Sequence, residues 1–127
     1  MSRRAFMLAM ALFHMGFGVF FLFGQTYASQ LIFSAPGPNA SMMMAGLSGI
    51  VFAFGLLNYL TRNSADGEAL RSVLTGTAFY LVFTVIFDSY WTVHGLLNPI
   101  AWASIAIRSF MAVCYGYYIA KVRVTGS

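Results

Sequence analysis

The chain has 127 residues, room for one domain, and 60% of them are hydrophobic against 8% charged, with a mean hydropathy of +0.78. So few charges cannot cover a water-soluble domain of this size, which excludes an ordinary globular fold and leaves a membrane as the solvent. The net charge of +4 is dispersed over several segments and gives no basic patch for nucleic acid, and the single cysteine, Cys114, excludes an internal disulfide.

Four apolar runs follow in chain order, at residues 5–23, 42–60, 73–93 and 99–120. Each has about the ~20 residues that a helix needs to cross a ~30 Å hydrocarbon layer. Backbone polar groups in lipid must satisfy one another, so each run is expected to be helical. The expectation is an all-α integral membrane four-helix bundle, antiparallel and up-down-up-down, forming one transmembrane domain over 1–127. The first run follows "MSRR" and could be read as a signal peptide. It is longer than the usual ~7–15-residue apolar segment and lacks an A-x-A site, so it is read as a span.

Lys and Arg set the orientation. Arg3 and Arg4 precede the first span, Arg62 and Arg71 flank the middle loop, and Lys121 and Arg123 follow the last span. The loops 24–41 and 94–98 carry no Asp, Glu, Lys or Arg. By the positive-inside rule both termini and the middle loop face the cytoplasm.

The connections carry turn chemistry. "APGPNAS" forces a turn in the first loop, and "QLIF" before it is expected to dip into the outer interface. Asn39, Ala40 and Ser41 match the short glycosylation pattern, too close to the membrane to carry weight. Ser64 or Asp66 is placed to cap the third span. Gly95 can take the left-handed conformation that ends it. Asn98 and Pro99 read as an N-cap and a first helical residue of the fourth. No internal or inverted repeat is evident, since the two halves share only hydrophobicity.

Two polar stripes run through the last two spans. Thr77, Tyr80, Thr84, Asp88 and Trp91 recur at spacings of three and four, and so do Ser104, Arg108, Met111, Tyr115 and Tyr118. Polar residues in a span should face protein or a watery cavity. By helical rise Asp88 lies ~10 Å from Gly95, and Arg108 ~14 Å past Pro99. A reaching Arg side chain covers that difference, and its guanidinium fork matches a carboxylate. Asp88 and Arg108 are therefore expected to pair. The pair either fixes helix packing or belongs to a substrate or proton site. His14 stands at similar depth and either packs or joins the pair, with Thr84, Tyr80, Trp91 and Ser104 as candidate pocket lining.

Other features are less specific. Ala45, Gly49 and Ala53 form a small-residue seam suited to close helix packing, within the bundle or in a homo-oligomer. Asn58 is expected at the interface. Trp91 and Trp102 form an outer aromatic belt, and Tyr59, Tyr115, Tyr117 and Tyr118 an inner one. No metal-ligand spacing, phosphate loop or nucleophile elbow appears, and no specific cofactor motif. His14 and His94 differ in depth by ~15 Å, too far to ligate one haem iron. Cys114 reads as a small apolar residue.

The segments "GLLNYLTRNSADGEALRSVL" and "GLLNPIAW" resemble small bacterial four-span inner-membrane proteins, over roughly residues 46–118. The resemblance implies the fold and the inner membrane, and it carries over no catalytic residues. The expected function is non-enzymatic: an accessory subunit of a membrane complex, or a binder of a small hydrophobic ligand or lipid. The contrasting expectation is a minimal transporter or channel lined by Asp88, Arg108 and His14. The expected partners are the lipid bilayer and a larger membrane complex or homo-oligomer, with no nucleic acid.

Overall fold

The computed structural model describes residues 1–124; the last three residues of the expected domain lie outside the described residues. It holds five helices: α1 (Arg3–Phe23), α2 (Gln25–Ile32), α3 (Ala40–Thr61), α4 (Glu68–Val93) and α5 (Ala101–Lys121). α1, α3, α4 and α5 are long and apolar enough to cross a membrane, which marks an integral membrane protein. α2 is the addition: two turns within the first loop.

Helix ends depart from the sequence expectation for identifiable reasons. α1 starts at Arg3 because the Ser2 hydroxyl accepts from the Ala5 N–H at 3.2 Å. α4 starts five residues before its apolar run. Glu68, Ala69, Leu70 and Arg71 are good helix formers, and Leu70 is buried. Neither Ser64 nor Asp66 caps α4, whose N-cap is Gly67 without a side-chain bond. Asp66 instead binds Arg3. α5 starts at Ala101, so the expected cap at Asn98 is also corrected. The Asn98 amide donates to the carbonyls of Gln30, Leu31 and Phe33 at 3.3, 2.9 and 3.1 Å. Carbonyls at the end of α2 have no partner within that helix, and a side-chain NH2 is the group that can serve them. Gly95 takes φ +76° at the end of α4, the left-handed conformation expected there.

The long helices run antiparallel in two close pairs. α1 lies on α3, and α4 on α5, whereas α3 touches α4 sparsely. Two glycines bring α1 and α3 together. A Cβ built on Gly18 would stand 2.7 Å from the Phe52 Cβ, and one on Gly55 would stand 2.8 Å from the Met15 backbone nitrogen. The expected seam at Ala45, Gly49 and Ala53 does not perform this packing. Gly49 and Ala53 are exposed, and a Cβ on Gly49 meets nothing within 4 Å. The inward face of α3 is instead Met44, Ser48, Val51, Gly55 and Asn58.

Two apolar clusters join the elements. One holds Phe6 and Met7 of α1, Leu70, Leu74 and Leu81 of α4, and Met111, Tyr115 and Tyr118 of α5. The other, toward α2, holds Leu97, Ala101 and Ile105 with Ile32, Phe33, Val85 and Trp91 packed on them.

Each end of the bundle is also stitched. At one end Arg3 binds Asp66 and donates to the Ser64 carbonyl at 2.9 Å; the Arg123 N–H donates to Asp66 at 3.2 Å, and the Tyr118 hydroxyl to the Met1 carbonyl at 2.7 Å. At the other end the Asn98 N–H donates to Ile32 at 2.8 Å, and Phe33 bridges Leu97.

Candidate intramembrane polar site

All charged side chains but two sit at the end that holds Met1, Ser64 and Arg123. The two exceptions are Asp88 and Arg108, and the structure brings them together: Arg108 Nη2 donates to Asp88 Oδ2. Asp88 stands five residues before the end of α4, and Arg108 seven past the start of α5, at depths of ~8 and ~10 Å.

Periodicity places both residues on inward faces. Asp88 continues the row Leu70, Leu74, Thr77, Leu81, Thr84 on α4. Arg108 falls between Ile105 and Met111 on α5, and so between the two apolar clusters. Burial on α4 stops at Leu81, however. Beyond it the inward side chains are only half-buried, with Arg108 and Asp88 at 16% and 25% exposure. The fully buried part of α4 therefore lies toward the charged end, and the ion pair lies beyond it.

His14 is buried on α1 at the middle of the bundle. Its Nδ1 lies 2.8 Å from the Met10 carbonyl. A carbonyl can only accept, so a neutral His14 carries its proton on Nδ1 and leaves Nε2 as an acceptor. The ring centroid lies 6.4 Å from that of Tyr80. Tyr80 in turn stacks on Phe54 at 4.4 Å, so it bridges the two helix pairs.

The remaining expected lining residues have other partners. The Thr84 hydroxyl donates to the Leu81 carbonyl of its own helix at 3.0 Å. Ser104 is exposed and contributes its carbonyl, which accepts from Arg108 Nε at 3.3 Å. Trp91 packs against the Leu97, Ala101 and Ile105 cluster and stands edge-on to Phe87.

A second polar cluster was not anticipated. Asn58 is fully buried, which corrects its expected interfacial position. The Tyr115 hydroxyl donates to Asn58 Oδ1 at 2.8 Å. Asn58 Nδ2 donates to the Phe54 carbonyl at 2.8 Å and to Thr77 Oγ1 at 3.2 Å, and Thr77 donates to the Val73 carbonyl at 2.9 Å. Tyr115 and Tyr118 are therefore core residues, not members of an inner belt. The cluster ties α3, α4 and α5, and its groups are occupied by one another and by backbone. Asn58 sits three residues after Gly55, on the inward row of α3, and that spacing was the available signal.

Among the described residues no group of three or more His, Cys, Asp or Glu is placed to hold a metal ion. No family model, curated protein or solved structure matches the chain.

Proposed function

We propose that this chain is a non-enzymatic integral membrane protein that binds a small hydrophobic ligand or lipid between its two helix pairs, alone or as an accessory subunit of a membrane complex. The observation that carries this reading is the partly buried Asp88–Arg108 pair on inward faces, in the part of the bundle where α4 has no buried residue. An ion pair placed there fits a polar anchor point within an apolar space. The fully engaged Asn58 cluster toward the charged end argues against a polar path continuing across the bundle, which disfavours the transporter or channel reading.

The charge-bearing end is assigned to the cytoplasm of a bacterial inner membrane. The Asp88–Arg108 pair cancels, so the entire net charge of +4 belongs to that end, as the positive-inside rule requires of a cytoplasmic face.

The test is extraction in mild detergent followed by native mass spectrometry. A bound lipid or apolar small molecule at fixed stoichiometry supports binding, and a copurifying membrane chain supports the subunit form. Ion or proton flux in proteoliposomes that disappears on Asp88→Asn would replace this reading with transport.

A further inference from the structure

Asp88 and Arg108 do not exhaust each other. The contact uses one guanidinium nitrogen, Nη2, and one carboxylate oxygen, Oδ2, with Nε on the Ser104 carbonyl. Among the described residues no partner reaches Arg108 Nη1 or Asp88 Oδ1. Those atoms are not sealed either: Arg3 Nε is the sole buried, unpartnered side-chain nitrogen or oxygen there. A donor nitrogen and an acceptor oxygen of one ion pair are thus left without a partner, reachable from outside the fold, some ~8–10 Å beneath the helix ends. Leaving them against hydrocarbon is costly, so a polar group should cover them.

We propose that the pair holds the head group of an uncharged amphiphile that both donates and accepts a hydrogen bond, a hydroxyl or a primary amide, with its apolar tail between the helix pairs. This deepens the binder reading and rests on it. Three observations choose the class. The pair is neutral as a unit, so an added anion would face Asp88 and an added cation Arg108, uncompensated in a low-dielectric setting. The atoms without a partner are one donor nitrogen, Nη1, and one acceptor oxygen, Oδ1, a set that suits a group able both to accept and to donate, as a hydroxyl is. Both residues continue the inward rows of α4 and α5, past Leu81, the last buried residue of α4, so a tail that follows the head group would run along apolar helix faces.

The experiment uses the full chain in phosphatidylcholine nanodiscs at pH 9, with empty nanodiscs as reference. Binding is measured for 1-dodecanol, dodecanoate, dodecylammonium and dodecane. The expected result is a dissociation constant for 1-dodecanol about tenfold or more tighter than for dodecane, the worth of a hydrogen bond to a charged group. Dodecanoate and dodecylammonium should bind more weakly than the alcohol. In the double variant Asp88→Leu with Arg108→Met, which leaves no charge unpaired, the preference for the alcohol should vanish while dodecane binding stays. The ranking in the unaltered chain stands as evidence even if that variant does not fold. Equal binding of all four probes would overturn the head-group site and leave the binder reading intact. Tightest binding of dodecanoate or dodecylammonium, or a preference for alcohol that survives in the double variant, would overturn it likewise. Binding of no probe would overturn both.

Discussion

At the scale of single residues, removing one member of a buried polar set costs more than removing the set. Asp88→Leu or Arg108→Met leaves a charge alone inside the bundle and should cost about 3–5 kcal/mol, whereas the double substitution should cost much less. A double-mutant cycle of stability in detergent measures this coupling, and additive losses would show that the two side chains act independently. Asn58→Leu should cost about 1–3 kcal/mol, since it strands the Tyr115 hydroxyl with no acceptor. Pairing Asn58→Leu with Tyr115→Phe should recover part of that loss in the same thermal melts. The approach of Arg108 to Asp88 can be argued from the sequence, because both are rare charges on threefold and fourfold spacings of adjoining helices. The burial of Asn58 is not legible, because a lone amide near a helix end looks interfacial and its side-chain partners stand on other helices.

At the scale of elements, helix pairing depends on where a side chain would have no room. Gly55→Ala sets a Cβ within 3 Å of α1 backbone and should destabilise the bundle by about 1–3 kcal/mol. Gly49→Leu meets open space and should leave the melting temperature of the monomer unchanged. A loss of mass in detergent for Gly49→Leu alone would assign the outward stripe to contact between copies. Sequence pattern could not choose between the two rows of small residues on α3. In a span both faces are apolar, so hydrophobic periodicity loses the contrast it has in water. The four long helices were legible because length and hydropathy alone define them. α2 was not, because two turns in a loop leave too short a pattern. Asn98 was misassigned for a related reason: the carbonyls it serves belong to a helix far off in sequence.

At the scale of the whole molecule, the charged end should respond to acid. The Arg3 guanidinium beside Asp66 holds its carboxyl below the usual carboxylate range, and the Arg123 N–H adds to this. The folded state therefore gains from ionised Asp66 at any pH above the ordinary value near about 4. That gain is lost as pH falls through the depressed folded value. Melts across the acid range should show this loss in the unaltered chain and a flatter profile in Asp66→Asn. An equally steep profile in the variant would place the acid sensitivity elsewhere. Orientation belongs to this scale too. A C-terminal fusion should be active only with a cytoplasmic reporter, and activity of a periplasmic one would reverse the assignment.

The ion pair also bears on how the chain is made. Asp88 precedes Arg108 by twenty residues, and the hairpin turn at Gly95 lies between them. While α4 alone has left the ribosome, its carboxylate has no counter-charge, and Asp in a lipid-embedded helix is unfavourable, by up to about 3 kcal/mol at the centre and less toward the end where Asp88 stands. α4 is thus a poor candidate for solitary insertion, and it becomes a good one once α5 supplies its guanidinium. The two helices should enter the bilayer as one unit. A chain stopped at Gly95 should insert α4 inefficiently, and Asp88→Leu should restore that insertion.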